Sequence, residues 1–137
     1  DWTRQRGWFM NLPTAGERVI GQAAVRGGRV IFSTLIASDD PCAFGGSGWL
    51  MEVDAKTGAM IDYPVFDTNG DKLVDDNGDQ VLAGVPITVG IVKQPLVLDG
   101  ASTASKLMSG TSGEIQLERN RSFSQGLGRD SWKELNR

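Results

Sequence analysis

A chain of 137 residues with a net charge of −3 and a pI near 4.9 is long enough for one domain with a core and too short for two comfortable ones. It also lacks the basic face that nucleic acid or an anionic membrane requires. With no histidine and a single cysteine, it has no Ser-His-Asp or Cys-His arrangement, and no disulfide can close within it.

Eighteen glycines beside 7% aromatics fit many tight turns between short elements, hence an all-β domain rather than a helical bundle. No apolar run of about 18 residues is present to span a membrane. Beginning at Asp1 without an initiator methionine or a signal peptide, the chain is expected to be a processed or excised piece.

In chain order, Arg6 to Leu12 place Trp8, Met10 and Leu12 on one side and Phe9 and Asn11 on the other. This predicts a strand closed by a turn at Pro13-Thr14-Ala15-Gly16. Arg18-Val19-Ile20 and Gln22-Ala23-Ala24-Val25 lead into Arg26-Gly27-Gly28, and the β-branched run Val30 to Ile36 follows, which predicts a hairpin on the Gly-Gly pair. Ala37 to Gly48 is loop by composition. Trp49 to Asp54 predicts a strand, and Ala55-Lys56-Thr57-Gly58 the turn after it.

Further on, Val81-Leu82 and Val85-Pro86-Ile87 predict a short hairpin about Ala83-Gly84, and Gly90 to Leu98 and Lys106 to Gly110 predict strands. Gln22 to Gly27 faintly echoes Gln94 to Gly100, the self-similarity that stacked blades produce. From Ser112 the chain turns polar, with an amphipathic scrap at Ser131 to Leu135 that Ser131 can cap as a short helix.

The stretch that writes down a chemistry is Asp67-Thr68-Asn69-Gly70-Asp71-Lys72-Leu73-Val74-Asp75. Oxygen-bearing side chains recur at every second position, and calcium takes six to eight oxygens at roughly 2.3–2.6 Å from such a loop. Asp67, Asn69 and Asp71 would be the first ligands, Leu73 would lend its carbonyl, and Asp75 would close the site. The twelfth place, usually a bidentate glutamate, is Gly78, so Asp75 must take that part with Asp76 or Asp79 as substitutes.

Lys72 stands where glycine normally supplies a positive φ, at a cost of about 1 kcal/mol, and it brings a positive charge near the ion. Affinity is expected to fall, and a site with a dissociation constant of roughly 10⁻⁴–10⁻³ M is still usefully occupied at about millimolar extracellular calcium. Magnesium, which prefers to keep its waters, is a poorer match. The alternative for the same residues is a plain acidic hairpin turn. Asp75-Asp76-Asn77-Gly78-Asp79 repeats the spacing, as an overlapping register, a second weak site, or a type I′ turn on Asn77-Gly78.

Other candidates have plainer readings. Without histidine a nucleophilic role for Cys42 is disfavoured; it is free or paired with a segment outside the chain. Trp8 and Trp49 fall within strand patterns and read as core, whereas Trp2 and Trp132 read as core or as a carbohydrate platform. Gly110-Thr111-Ser112-Gly113 lacks the lysine and helix of a phosphate cradle.

Two resemblances extend this reading. Leu50-x-x-Val53-Asp54-x-x-Thr57-Gly58 resembles the strand-turn signature of quinoprotein-type β-propeller blades. The order Gly7 to Pro13, Gly16 to Val19, Arg26 to Ile36 and Asp40 to Asp54, with the tail Gly113 to Trp132 ending in Arg129-Asp130-Ser131-Trp132, resembles the C-terminal region of the PilY/PilC family. These are large secreted proteins associated with the tips of bacterial type IV pili.

That resemblance implies the C-terminal part of a modified β-propeller, secreted at the pilus tip or associated with the outer membrane. It implies a part in pilus assembly with minor pilins and in adhesion to surfaces or host receptors, with no catalysis. It also implies calcium loops, which here fall on Asp67, Asn69, Asp71 and Asp75, with Lys72 departing from the family glycine. At about 40–45 residues per blade the chain supplies roughly three blades where a propeller needs at least four, so an incomplete piece is expected. Two alternatives accompany this expectation: a structural domain that docks minor pilins without metal, and a quinoprotein-type propeller, which needs a full ring and a polar cofactor cradle.

Overall fold

The computed structural model describes residues 3–4, 6–40, 42 and 44–123. Its described strands are β1 (Arg18–Val19), β2 (Ala24–Arg26), β3 (Arg29–Ala37), β4 (Gly46–Asp54), β5 (Gly84–Ile87), β6 (Leu96–Leu98), β7 (Thr103–Ser109) and β8 (Ile115–Arg121). The all-β class expected from glycine content and turn spacing is what the described residues adopt. All pairings are antiparallel and form two sheets. In the first, β3 is flanked on one edge by β1 and β2 in succession and on the other by β4, with β5 outside; the second runs β6-β7-β8.

Local turn chemistry sets much of this. Gly27 and Gly28 have φ of 53° and 77°, the two positive values that a type I′ hairpin demands and that glycine adopts without strain. They join Arg26 to Arg29 in register. After β4, Asp54 accepts from the Lys56 and Thr57 N–H groups at 3.0 and 2.8 Å and from the Thr57 hydroxyl at 2.8 Å. That hydroxyl first, then the N–H groups, hold the Asp54 carboxyl below its ordinary value. The blade-like Val-Asp-x-x-Thr-Gly wording is therefore here the wiring of a turn.

Period-two alternation then decides the faces. Arg29, Ile31 and Ser33 of β3 and Leu50 and Glu52 of β4 point to one buried side, and Ala104, Lys106 and Met108 of β7 meet them from the second sheet. Ile61, Val65, Phe66, Val89, Val92 and Phe123 fill the space between from non-strand segments. The segment around Phe66 lies along β8, with Asp67 N–H donating to Arg119 O and Arg121 N–H to Val65 O, each at 3.1 Å.

The core between the sheets is not all apolar. Glu52 receives Arg29 Nη1 on Oε1 at 2.7 Å and Lys106 Nζ on Oε2. Arg29 also donates to Arg121 O at 2.9 Å and Ser122 O at 2.7 Å and lies 4.1 Å from the Phe123 ring centroid. These bonds tie β3 and β4 to the end of β8.

Several expectations need correction. Residues 7–12 form no strand; the segment instead covers the back of β3, where Trp8, Met10 and Leu12 line a surface hollow with Val19, Ala23, Val30 and Phe32. Trp8 is only half-buried, its indole Nε1 donating to Ala55 O at 3.0 Å and its ring so close to Gly58 that a Cβ there would stand 2.4 Å away. Trp49 is 37% exposed rather than core, because its parity in β4 opposes that of Leu50.

No hairpin forms over 81–87, since β5 pairs with β4 across a long connection. Only Leu96–Leu98 of the expected 90–98 strand pairs, while Val92 enters the core as loop. β4 starts at Gly46, inside the expected loop, and β8 arises in the stretch read only as polar. Trp2, Trp132 and the Ser131 helix lie outside the described residues.

Candidate functional site

β8 positions the acidic loop. Asp67 is fixed where the Val65–Asp67 segment leaves that strand, through its N–H bond to Arg119 O. Farther along, Arg121 Nη2 meets Asp76 Oδ1 at 2.8 Å and lies 5.1 Å from the Tyr63 ring centroid. Asp76 is exposed, so that ion pair adds little stability.

Within the loop, alternate side chains turn back on the main chain. Asp67 Oδ1 accepts from Gly70 N–H at 2.7 Å and Oδ2 from Lys72 N–H at 3.0 Å. Asn69 Oδ1 accepts from Asp71 N–H at 2.9 Å, and Asp71 Oδ1 from Leu73 N–H at 2.8 Å. Asn69 Nδ2 also donates to Asp71 Oδ2 at 3.2 Å. Lys72 has φ of 74°, the one positive value at a non-glycine position among the described residues, at the sixth place, where calcium loops require the reversal that glycine usually gives.

The organiser of the loop is Asp79, which the spacing offers only as a substitute ligand. Its Oδ1 accepts from Thr68 N–H at 2.7 Å, Thr68 Oγ1 at 3.1 Å and Asn69 N–H at 3.3 Å, and its Oδ2 from Asp75 N–H at 3.1 Å. It thereby holds Asp75 beside the turn of Asp67 to Asp71. The legible signal was the continued alternation Asp75-x-Asn77-x-Asp79. Asn77 is not in a type I′ turn, a correction to one reading of Asn77-Gly78: only Gly78 has positive φ, and Asn77 N–H donates to Asp75 Oδ1 at 2.7 Å as an Asx turn.

Burial pushes the Asp79 carboxyl up, but the Thr68, Asp75 and Asn69 donors outweigh it and hold the group below its ordinary value. A carboxylate depressed in the folded state contributes stability above its unfolded pKa of about 4 and loses it as pH falls through the lower folded value. Loop order is therefore expected to hold at neutral pH and to fail below about pH 4. Asp79→Ala is expected to unhook Asp75 and the Thr68 amide at any pH, seen as lost dispersion of the loop N–H signals by NMR. Unchanged signals in that variant would refute the role given to Asp79.

The donor set is all hard oxygen, which suits calcium rather than a soft metal. Among the described residues no three acidic or cysteine side chains converge as a metal-holding group. Cys42 is exposed, with its N–H donating to Asp40 Oδ1 at 2.8 Å. No described helix is long and apolar enough to cross a membrane.

Fold and site define an antiparallel β-sheet protein that carries an Asx-turn loop on the edge of its second sheet. The chain is similar to the type IV pilus biogenesis factor PilY1 of Pseudomonas aeruginosa, 35% identical over 81 residues in two strains, covering 56% of this chain and 7% of the relative. It is also similar to the PilY1 homolog of Xylella fastidiosa, 28% identical over an alignment of 160 residues, covering 96% of this chain and 11% of the relative. These likenesses agree with the resemblance that its motif order carries, and the chain spans about a tenth or less of the length of these relatives. No family model and no solved structure matches it.

Proposed function

We propose that the chain serves a type IV pilus-associated protein in pilus biogenesis and in adhesion to a surface or host receptor, with loop 67–79 as a calcium site. Asp67, Asn69, Asp71, the Leu73 carbonyl and Asp75 are the proposed ligands, with Asp79 holding them in place. The observation that carries the metal reading is the backbone of Lys72: the chain accepts a strained φ of 74° at the place where a calcium loop needs it. Partners on this reading are minor pilins at the pilus tip, reached from a secreted or outer-membrane-associated protein, and no catalytic step is involved.

The two packed sheets are read as neighbouring blades of a larger propeller. The outer face of the second sheet supports this, for Leu96, Leu107 and Leu117 stand in register across β6, β7 and β8. Leu96, Leu98, Ile115 and Leu117 are 49–67% exposed there, an apolar face suited to a further sheet. A metal-free module that docks minor pilins is the second reading, favoured by loop carboxylates already engaged with N–H groups.

Calcium titration by calorimetry tests the metal. Heats are expected for the parent and lost in Asp67→Ala and Asp75→Ala, and Lys72→Gly is expected to tighten binding by removing a positive charge near the ion while stabilising the loop by about 1 kcal/mol through relief of strain. Equal heats in parent and alanine variants would favour the metal-free module. A strain lacking this segment is expected to lose surface pili and attachment in electron microscopy and adhesion counts. Undiminished pili and attachment would refute the pilus role.

A further inference from the structure

Glu52 of β4, Lys106 of β7 and Asn120 of β8 meet in the sealed space between the sheets, each with 0% exposure. One carboxylate oxygen, Glu52 Oε2, touches both nitrogens: it accepts from Lys106 Nζ and, at 3.2 Å, from Asn120 Nδ2. Register pairs Lys106 with Glu118 and Ala104 with Asn120, which makes Lys106 and Asn120 diagonal neighbours on one face. Asn120 Nδ2 also donates to Val65 O at 2.9 Å, fixing which end of the amide is which. Its carbonyl Oδ1 is the buried side-chain polar atom without a partner among the described residues.

The charges do not balance if all groups ionise. The Arg29 guanidinium already neutralises Glu52. A second cation there would be an excess buried charge. Burial pushes the Lys106 amine down from its ordinary value, the Glu52 carboxylate opposes this, and Arg29 adds to the fall. A neutral lysine is a nucleophile, and this one shares Glu52 Oε2 with the Asn120 amide, with the Phe66 and Phe123 ring centroids 5.1 and 5.7 Å from Nζ.

We propose that Lys106 and Asn120 are joined by an intramolecular amide bond, formed in a single turnover with Glu52 as the proton carrier. The Nζ lone pair adds to Asn120 Cγ and forms the Nζ–Cγ bond. Glu52 Oε2 takes a proton from Nζ and delivers it to Nδ2, the Cγ–Nδ2 bond breaks, and ammonia leaves. Glu52 is regenerated as carboxylate, and no oxidant or co-reactant is needed. The product links β7 to β8 covalently and leaves Arg29 and Glu52 as a balanced pair.

Mass spectrometry of the purified, folded wild-type protein tests the bond. The intact mass is expected to be lighter by one ammonia, and trypsin is expected to release a branched peptide joining Lys106 to Asn120, uncut after Lys106. Lys106→Met and Asn120→Ala should restore the full sequence mass, and Glu52→Gln should leave its soluble fraction unlinked. A wild-type protein of full mass with cleavage after Lys106 would overturn the proposal, whatever the variants do. So would an ammonia deficit that maps only to Asn69-Gly70 or Asn77-Gly78, where succinimide formation releases the same mass. A deficit of one water linking Lys106 to Glu52 would overturn the assignment to Asn120, and a linked Glu52→Gln protein would overturn the part given to Glu52.

Discussion

Glu52→Gln is expected to destabilise the fold by about 3–5 kcal/mol, because it strips the carboxylate from a buried pair and leaves a charge uncompensated. Arg29 and Glu52 have side chains only 5% and 0% exposed, so water cannot substitute for the lost partner. The two carbonyls of Arg121 and Ser122 still receive the guanidinium, but they carry no charge to neutralise it. Against a total of about 5–15 kcal/mol for an ordinary domain, such a loss leaves little folded margin.

Urea unfolding followed by circular dichroism measures it, as a fall in midpoint at constant m value. Replacing Arg29 and Glu52 together by apolar residues of similar volume, with Lys106 also made apolar, is expected to recover most of the loss, since the desolvation cost disappears with the charges. The coupling between the two sites, read from a double-mutant cycle, separates this from mere loss of packing. A Glu52→Gln effect below about 1 kcal/mol would show that the cluster is solvated and the buried reading wrong.

Phe66→Ala is expected to cost about 3–5 kcal/mol through a large unfilled cavity. Phe66 is fully buried between the sheets, pairs with Asn120 of β8 and faces the Lys106 amine. It also precedes Asp67, the first proposed ligand, so its loss should loosen the acidic loop along with the core. Amide exchange should quicken at Lys72 and Gly70, whose N–H groups depend on the Asp67 carboxylate. Phe66→Leu, which keeps most of the volume, should cost less than the alanine change. Equal exchange at Lys72 in parent and Phe66→Ala would uncouple loop from core and refute this link.

What the sequence determined by itself is local. Gly27-Gly28, the turn from Asp54 to Gly58, and the oxygen spacing of Asp67 to Asp75 were legible because each is set within a few residues by φ preference and short hydrogen bonds. Motif order pointed to the PilY family, and the comparisons with known proteins bear it out. Even the reversal at Lys72 followed from its place in the loop.

The tertiary structure alone decided which apolar runs pair and which polar ones are buried. Val92 reads as strand yet fills the core from a loop, and β8 reads as polar yet pairs along all of β7. Lys106 shares the parity of Ala104 and Met108, a trace of its inward direction. Its tolerance inside depends on Glu52, 54 positions away, and on Asn120 from the neighbouring strand. A charge enters a core only when a distant partner is delivered to it, and that delivery belongs to strand register and sheet packing, which no local pattern encodes.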